Sequence, residues 1–115
     1  MSYLKAKKLT ELLTSKSMTI AVAESCTGGS LSSSMTSIPG ASSYFNCGFI
    51  TYSNESKINM LKVNPQSIEL FGAVSEKVAN EMAMGAGQNS KSNLAISVTG
   101  TVSYTHLTLP TNREV

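Results

Sequence analysis

A chain of 115 residues is one domain or part of one, and 41% hydrophobic against 14% charged residues excludes a disordered polypeptide. The net charge of +2 comes from scattered lysines with few aromatics among them, which argues against a nucleic-acid groove. No apolar stretch is long enough to cross a bilayer, the N-terminus lacks a signal peptide's apolar segment, and Cys26 and Cys47 suggest neither a disulfide framework nor a zinc site, so a reduced, cytoplasmic protein is expected.

Taken in chain order, Leu4–Leu13 sets Leu4, Leu9, Leu12 and Leu13 on one side at helical spacing, with Lys5, Lys7, Lys8 and Glu11 largely elsewhere. That pattern predicts a first helix packed on a sheet. Met18–Ala23 (MTIAVA) is a short apolar run with the character of a buried strand. Glu24–Gly29 (ESCTGG) follows at once, and Ser30–Ile38 is expected as a helix of small residues that Pro39–Gly40 breaks. Phe45–Tyr52 (FNCGFITY) predicts a second strand, and Ser53–Leu61 a loop turning into a short helix. Asn64–Pro65 supplies a cap and a first-turn proline for a helix that Gly72 ends. Ser75 caps the next helix, Glu76–Gly87, with Val78, Met82 and Ala86 as an inward stripe. Leu94–Val98 (LAISV) reads as a third buried strand. Helices alternating with buried strands predict an α/β layered domain.

After Gly100 the pattern changes. Val102–Thr111 (VSYTHLTLPT) looks like a translated sequencing adapter and carries the one histidine, His106. Residues 102–115 are therefore expected to be a non-native tail that adds neither fold nor chemistry, leaving 1–101 as the domain portion.

Two clusters carry candidate chemistry. Ala23–Gly29 (AESCTGG) sits where a strand ends and a helix begins, a place where unpaired backbone N–H groups can hold negative charge. Ser25 would stand at the strand tip, although Ser25 or Thr27 serving as a plain helix cap would look the same. Ile50–Lys57 (ITYSNESK) delivers Tyr52, Asn54 and Lys57 from a strand end and the following turn. A conventional Ser-His-Asp triad has no histidine outside the tail. A lysine takes the role of base if burial lowers its pKa, so Ser25 with Lys57, supported by Tyr52, is the most economical hydrolytic set. Singly, Lys57 also fits a solvated lysine and Tyr52 a half-buried strand residue. Cys26 is expected as a small packing residue and Cys47 as core. Glu24, Glu55 and Glu76 match no metal-ligand spacing, and Glu76 suits the first turn of a helix.

Four blocks in order, Ala23–Gly29 (AESCTGG), Gly48–Lys57 (GFITYSNESK), Gly72–Glu76 (GAVSE) and Ser97–Gly100 (SVTG), resemble the CinA C-terminal domain, the family of the stand-alone nicotinamide mononucleotide deamidases. The resemblance runs from about Leu4 to Gly100. It implies a three-layer α/β/α fold, commonly dimeric when complete, that hydrolyses the carboxamide of nicotinamide mononucleotide to nicotinate mononucleotide and ammonia. It places the nucleophile on Ser25, the base on Lys57 and an assisting tyrosine on Tyr52. Substrate contacts fall on Cys26, Thr27, Gly28 and Thr99. Neither a metal nor an organic cofactor is implied, and the partner is a small-molecule substrate, with no nucleic acid and no membrane. The family continues past SVTG with a glycine- and proline-rich loop, a further strand and C-terminal helices bearing a basic site residue, none of them recognisable here. The domain is thus expected to be truncated and this chain inactive on its own, while Met1 just ahead of the first helix favours a stand-alone parent. A non-catalytic nucleotide-binding or regulatory module of the CinA type is the alternative. A penicillin-recognising hydrolase, suggested by Tyr52–Ser53–Asn54, lacks a Ser-x-x-Lys anywhere but Ser2–Lys5.

Overall fold

The structure, a computed structural model, describes residues 3–100 and 105–108. The chain runs α1 (Tyr3–Ser15), β1 (Ile20–Glu24), α2 (Ser30–Thr36), a 3-10 turn at Ala41–Ser43, β2 (Phe45–Ile50), α3 (Asn54–Leu61), α4 (Pro65–Phe71), α5 (Glu76–Ser90), β3 (Leu94–Val98) and β4 (Thr105–Thr108). The strands lie in the order β2-β1-β3-β4, with β1 parallel to both neighbours and β4 antiparallel to β3.

All five residues of β1 are buried, as expected of a central parallel strand covered on both faces. The pleat sends alternate side chains to opposite faces. Ile20 and Val22 pack with Leu13 of α1 and Leu31 and Met35 of α2. Ala21 and Ala23 pack with Leu61 of α3 and Val78, Met82 and Ala86 of α5. The result is three layers, helices over each face of one sheet. On the second face the approach is close: a Cβ on Gly85 would lie 2.0 Å from the Leu61 carbonyl oxygen, so α3 lies directly against α5.

The capped helices form as their sequences dictate. The Asn64 side chain accepts from Gln66 N with Pro65 in the first turn, and the Ser75 hydroxyl accepts from Val78 N. Gly72 closes α4 at φ 85°, a conformation that disfavours a side chain.

Three expectations are corrected. The buried stripe of α1 is Ala6, Thr10 and Leu13, whereas Leu4 and Leu12 are 70% and 52% exposed. The leucines spread over more of the helix circumference than its buried face does, so they do not mark that face, and buried Thr10 satisfies its hydroxyl by donating to the Lys7 carbonyl (2.9 Å). The second strand ends at Ile50, and Cys47 within it is half-buried, because β2 is an edge strand with β1 as its partner. A register shift between Ile20 and Ala21 skips Asn46, so Phe45 packs toward α1 and α2 while Phe49 packs toward α3 and α5. Lastly, within the segment expected to add nothing to the fold, Thr105–Thr108 pairs with Ala95–Val98. Ladder bonds use backbone groups that every residue but proline supplies in full, so the pairing says nothing about the origin of the segment. The remainder of 102–115 lies outside the described residues.

Candidate functional site

The carboxyl ends of the three parallel strands meet on one side of the molecule, the edge where open α/β sheets bind ligands. Strand pairing continues just past the formal ends, with Ser25 N donating to Val98 O (3.0 Å) and Thr51 N to Glu24 O (2.8 Å). The pleat therefore still governs direction: Glu24 follows Ile20 and Val22 toward α2, and Ser25 follows Ala21 and Ala23 toward α3.

Lys57 comes to Ser25 from α3. The Ser53 hydroxyl caps this helix by accepting from Ser56 N (3.0 Å), and Glu55 in the first turn suits the helix dipole. Capping at Ser53 fixes the phase that turns Lys57 and, one turn on, Leu61 inward. Lys57 is 2% exposed and not a solvated surface lysine. Its Nζ donates to Ser25 Oγ (3.0 Å) and to the Tyr52 carbonyl (3.1 Å). Burial pushes its pKa below the ordinary lysine value, opposed in part by the electrostatic influence of Cys26 nearby. A lowered amine pKa and a hydroxyl at 3.0 Å are the two requirements of a serine activated by lysine.

A cleft of about 210 Å³ opens over this pair, walled by Cys26, Tyr52, Asn54, Val74 and Thr99. Tyr52 is 73% exposed at its mouth and not half-buried in a strand, because β2 has ended two residues before it. What Tyr52 presents to Lys57 is its carbonyl. Cys26 is exposed in the cleft wall and not packed away. The Thr99 hydroxyl donates to Ala73 O (2.9 Å), fastening the end of β3 to the loop between α4 and α5. A larger cleft of about 480 Å³ lies between α1 and the Ile38–Pro39 turn. Its buried hydroxyls are already spent, Tyr44 on Met35 O (2.7 Å) and Thr10 on Lys7 O, so it holds no paired nucleophile and base.

The start of α2 is arranged otherwise than the sequence suggested. Neither Ser25 nor Thr27 caps it. Fully buried Glu24 does so, accepting from Gly29 N (3.1 Å), Leu31 N (2.9 Å), Ser32 N (2.8 Å), Thr27 Oγ1 (2.6 Å) and Ser32 Oγ (2.5 Å). Burial alone raises a carboxyl pKa, but these bonds outweigh it and hold Glu24 below the ordinary value. The helix terminus is therefore already occupied by an anion. Of the amides after Ser25, Gly28 N is spent on Ser25 O (3.2 Å), whereas those of Cys26 and Thr27 have no partner among the described residues. Glu24 is the site residue that sequence reasoning missed. The signal was its parity with Ile20 and Val22, a charged residue at a buried strand position that must find donors.

With this geometry in place, similarity to known proteins identifies the chain. The profile of the CinA C-terminal domain matches residues 3–108. A competence-damage inducible protein of Alkaliphilus oremlandii is 54% identical over 90 residues, which is 78% of this chain and 22% of that protein. A CinA-like protein of Chlorobium limicola is 52% identical over 89 residues, 77% of this chain and 21% of that protein. The chain thus spans about a fifth of the length of the curated relatives it matches. Among solved structures, the competence/damage inducible protein CihA of Agrobacterium tumefaciens superposes with a TM-score of 0.83 at 39% identity, covering 85% of this chain and 59% of that one. This chain belongs to the CinA C-terminal domain family.

Proposed function

We propose that this domain hydrolyses the carboxamide of nicotinamide mononucleotide, with Ser25 as nucleophile and Lys57 as its base. The observation that carries the proposal is the buried Lys57 amine 3.0 Å from Ser25 Oγ, at the floor of a cleft. A neutral amine keeps two hydrogens and one lone pair. One hydrogen goes to the Tyr52 carbonyl, and the lone pair takes the Ser25 proton as Oγ attacks the amide carbon. The oxyanion is received by the N–H groups of Cys26 and Thr27, and losing such a donor costs about 100- to 1,000-fold in rate. The protonated amine, with the Tyr52 hydroxyl at the cleft mouth, returns a proton to departing ammonia. Water then opens the acyl-enzyme by the reverse relay. The cationic pyridinium withdraws electrons from the carboxamide and makes its carbon a better electrophile. Asn54 and Thr99 border the space that the ring would fill.

The test is ammonia release from nicotinamide mononucleotide, measured for this chain and for the chain completed with the rest of the domain that its solved relatives carry. The completed chain should release ammonia and its Ser25→Ala variant should not, while both bind the nucleotide; this chain alone should show no sustained turnover. A completed chain that is folded and binds nucleotide but releases no ammonia would favour a non-catalytic module instead.

A further inference from the structure

Five hydrogen bonds converge on the Glu24 carboxylate, and their placement exceeds what a cap for the seven-residue α2 needs. Two come from the helix backbone at Leu31 and Ser32, one from the Ser32 hydroxyl, and two from the loop ahead of the helix at Thr27 and Gly29. The Thr27 bond closes a ring of chain that contains Ser25 and Cys26. The main chain of the same residues is fastened on both flanks, Glu24 O by Thr51 N and Ser25 N by Val98 O. Gly48 of β2 keeps room for the arrangement, since a Cβ there would lie 2.9 Å from Ser32 Oγ.

We propose that Glu24 is the positioning residue of the nucleophile: its carboxylate holds the 25–29 turn so that Ser25 Oγ stays on Lys57 Nζ and the Cys26 and Thr27 amides stay free for the oxyanion. The proposal rests on the assignment of Ser25 as nucleophile made above. Glu24 takes no proton from substrate, because it faces α2 while Ser25 faces α3. The same separation keeps the carboxylate from pairing with Lys57, whose ammonium form it would otherwise favour. By filling the end of α2, Glu24 also excludes an anionic substrate group from that terminus.

The experiment uses the chain as it stands and diisopropyl fluorophosphate as probe. Ser25 Oγ bonds to phosphorus, the P–F bond breaks, fluoride leaves, and the hydroxyl proton passes to Lys57. Rates of Ser25 modification across probe concentrations separate the limiting rate from probe affinity. Glu24→Gln turns an amide N–H toward backbone N–H donors, and the limiting rate should fall about 10- to 100-fold, as for a reacting group displaced by an ångström or less, with affinity changed less than about threefold. Ser32→Ala, a milder change, should lower the limiting rate about threefold to tenfold with little change in melting temperature, and it decides the matter if Glu24→Gln does not fold. In the Glu24→Gln background Ser32→Ala should add nothing further, as expected of two groups acting through one contact. Limiting rates at the wild-type level in either folded variant would reduce Glu24 to a helix cap and overturn the proposal. A wild-type Ser25 that takes no label would fail the nucleophile assignment itself, and this proposal with it.

Discussion

At the scale of single residues, the proposed chemistry sets reactivity against stability. An unfolded lysine titrates near 10.5, and burial lowers Lys57 below that in the folded state. Between the two pKa values the unfolded chain binds the extra proton, so stability rises with pH through that window and is fully regained only above 10.5. At neutral pH the buried amine is therefore a cost to folding. Lys57→Met, of similar length and uncharged, is expected to melt at the same temperature or higher while the Ser25 reaction slows about 100- to 10,000-fold. Thermal denaturation and probe labelling on the same samples check both halves; a clear fall in melting temperature would mean that Lys57 holds the fold together. Glu24 has the opposite sign. Its lowered pKa contributes stability that is present above the ordinary value of 4.5 and is lost as pH falls through the folded value.

At the scale of elements, helix ends and the central strands were legible because their signals are local. Asn64 and Ser75 mark helix starts by side chain-to-backbone bonds within three residues, Gly72 ends α4 through its positive φ, and Leu94–Val98 is a buried run with β-branched content. What was not legible depends on which face of the sheet a residue meets. Leucine positions on α1 said little because that helix is apolar on several sides, and Cys47 looked like core until β2 proved to be an edge strand. The capping of α2 by Glu24 spans a strand end, a turn and a helix start, which no helix-terminus pattern encodes. One contact between elements matters for the site: Gly85 lets α5 touch the last residue of α3, the helix that carries Lys57. Gly85→Ala adds helix propensity worth about 1 kcal/mol but drives a methyl into the Leu61 backbone, and overpacking costs about 1–3 kcal/mol. The variant is expected to be less stable in urea and slower to label at Ser25, because α3 must move. Wild-type labelling in Gly85→Ala would show that the position of α3 tolerates the shift.

For the whole molecule, the sheet brings residues distant in sequence to one edge: Ser25 after β1, Lys57 after β2 and Thr99 after β3. The layered class followed from alternating helices and strands, but the meeting of Ser25 and Lys57 follows from strand order, with β1 between β2 and β3. Parallel neighbours place their carboxyl ends together, and no spacing in the sequence states that order. The described residues hold the proposed nucleophile, its proposed base and two amides without a partner among them, while the solved Agrobacterium protein extends beyond the matched 59% of its length. Single-turnover chemistry at Ser25 is thus the property that this chain should retain when sustained turnover is absent.

The most direct measurement is the pH dependence of Ser25 modification by diisopropyl fluorophosphate, followed by intact mass and peptide mapping in wild type and Lys57→Met. If an uncharged Lys57 activates Ser25, the adduct forms at Ser25, its rate rises with pH and levels off below 10.5, and the rise is absent from Lys57→Met. Equal rates in the two proteins, or an adduct elsewhere in the chain, would contradict it.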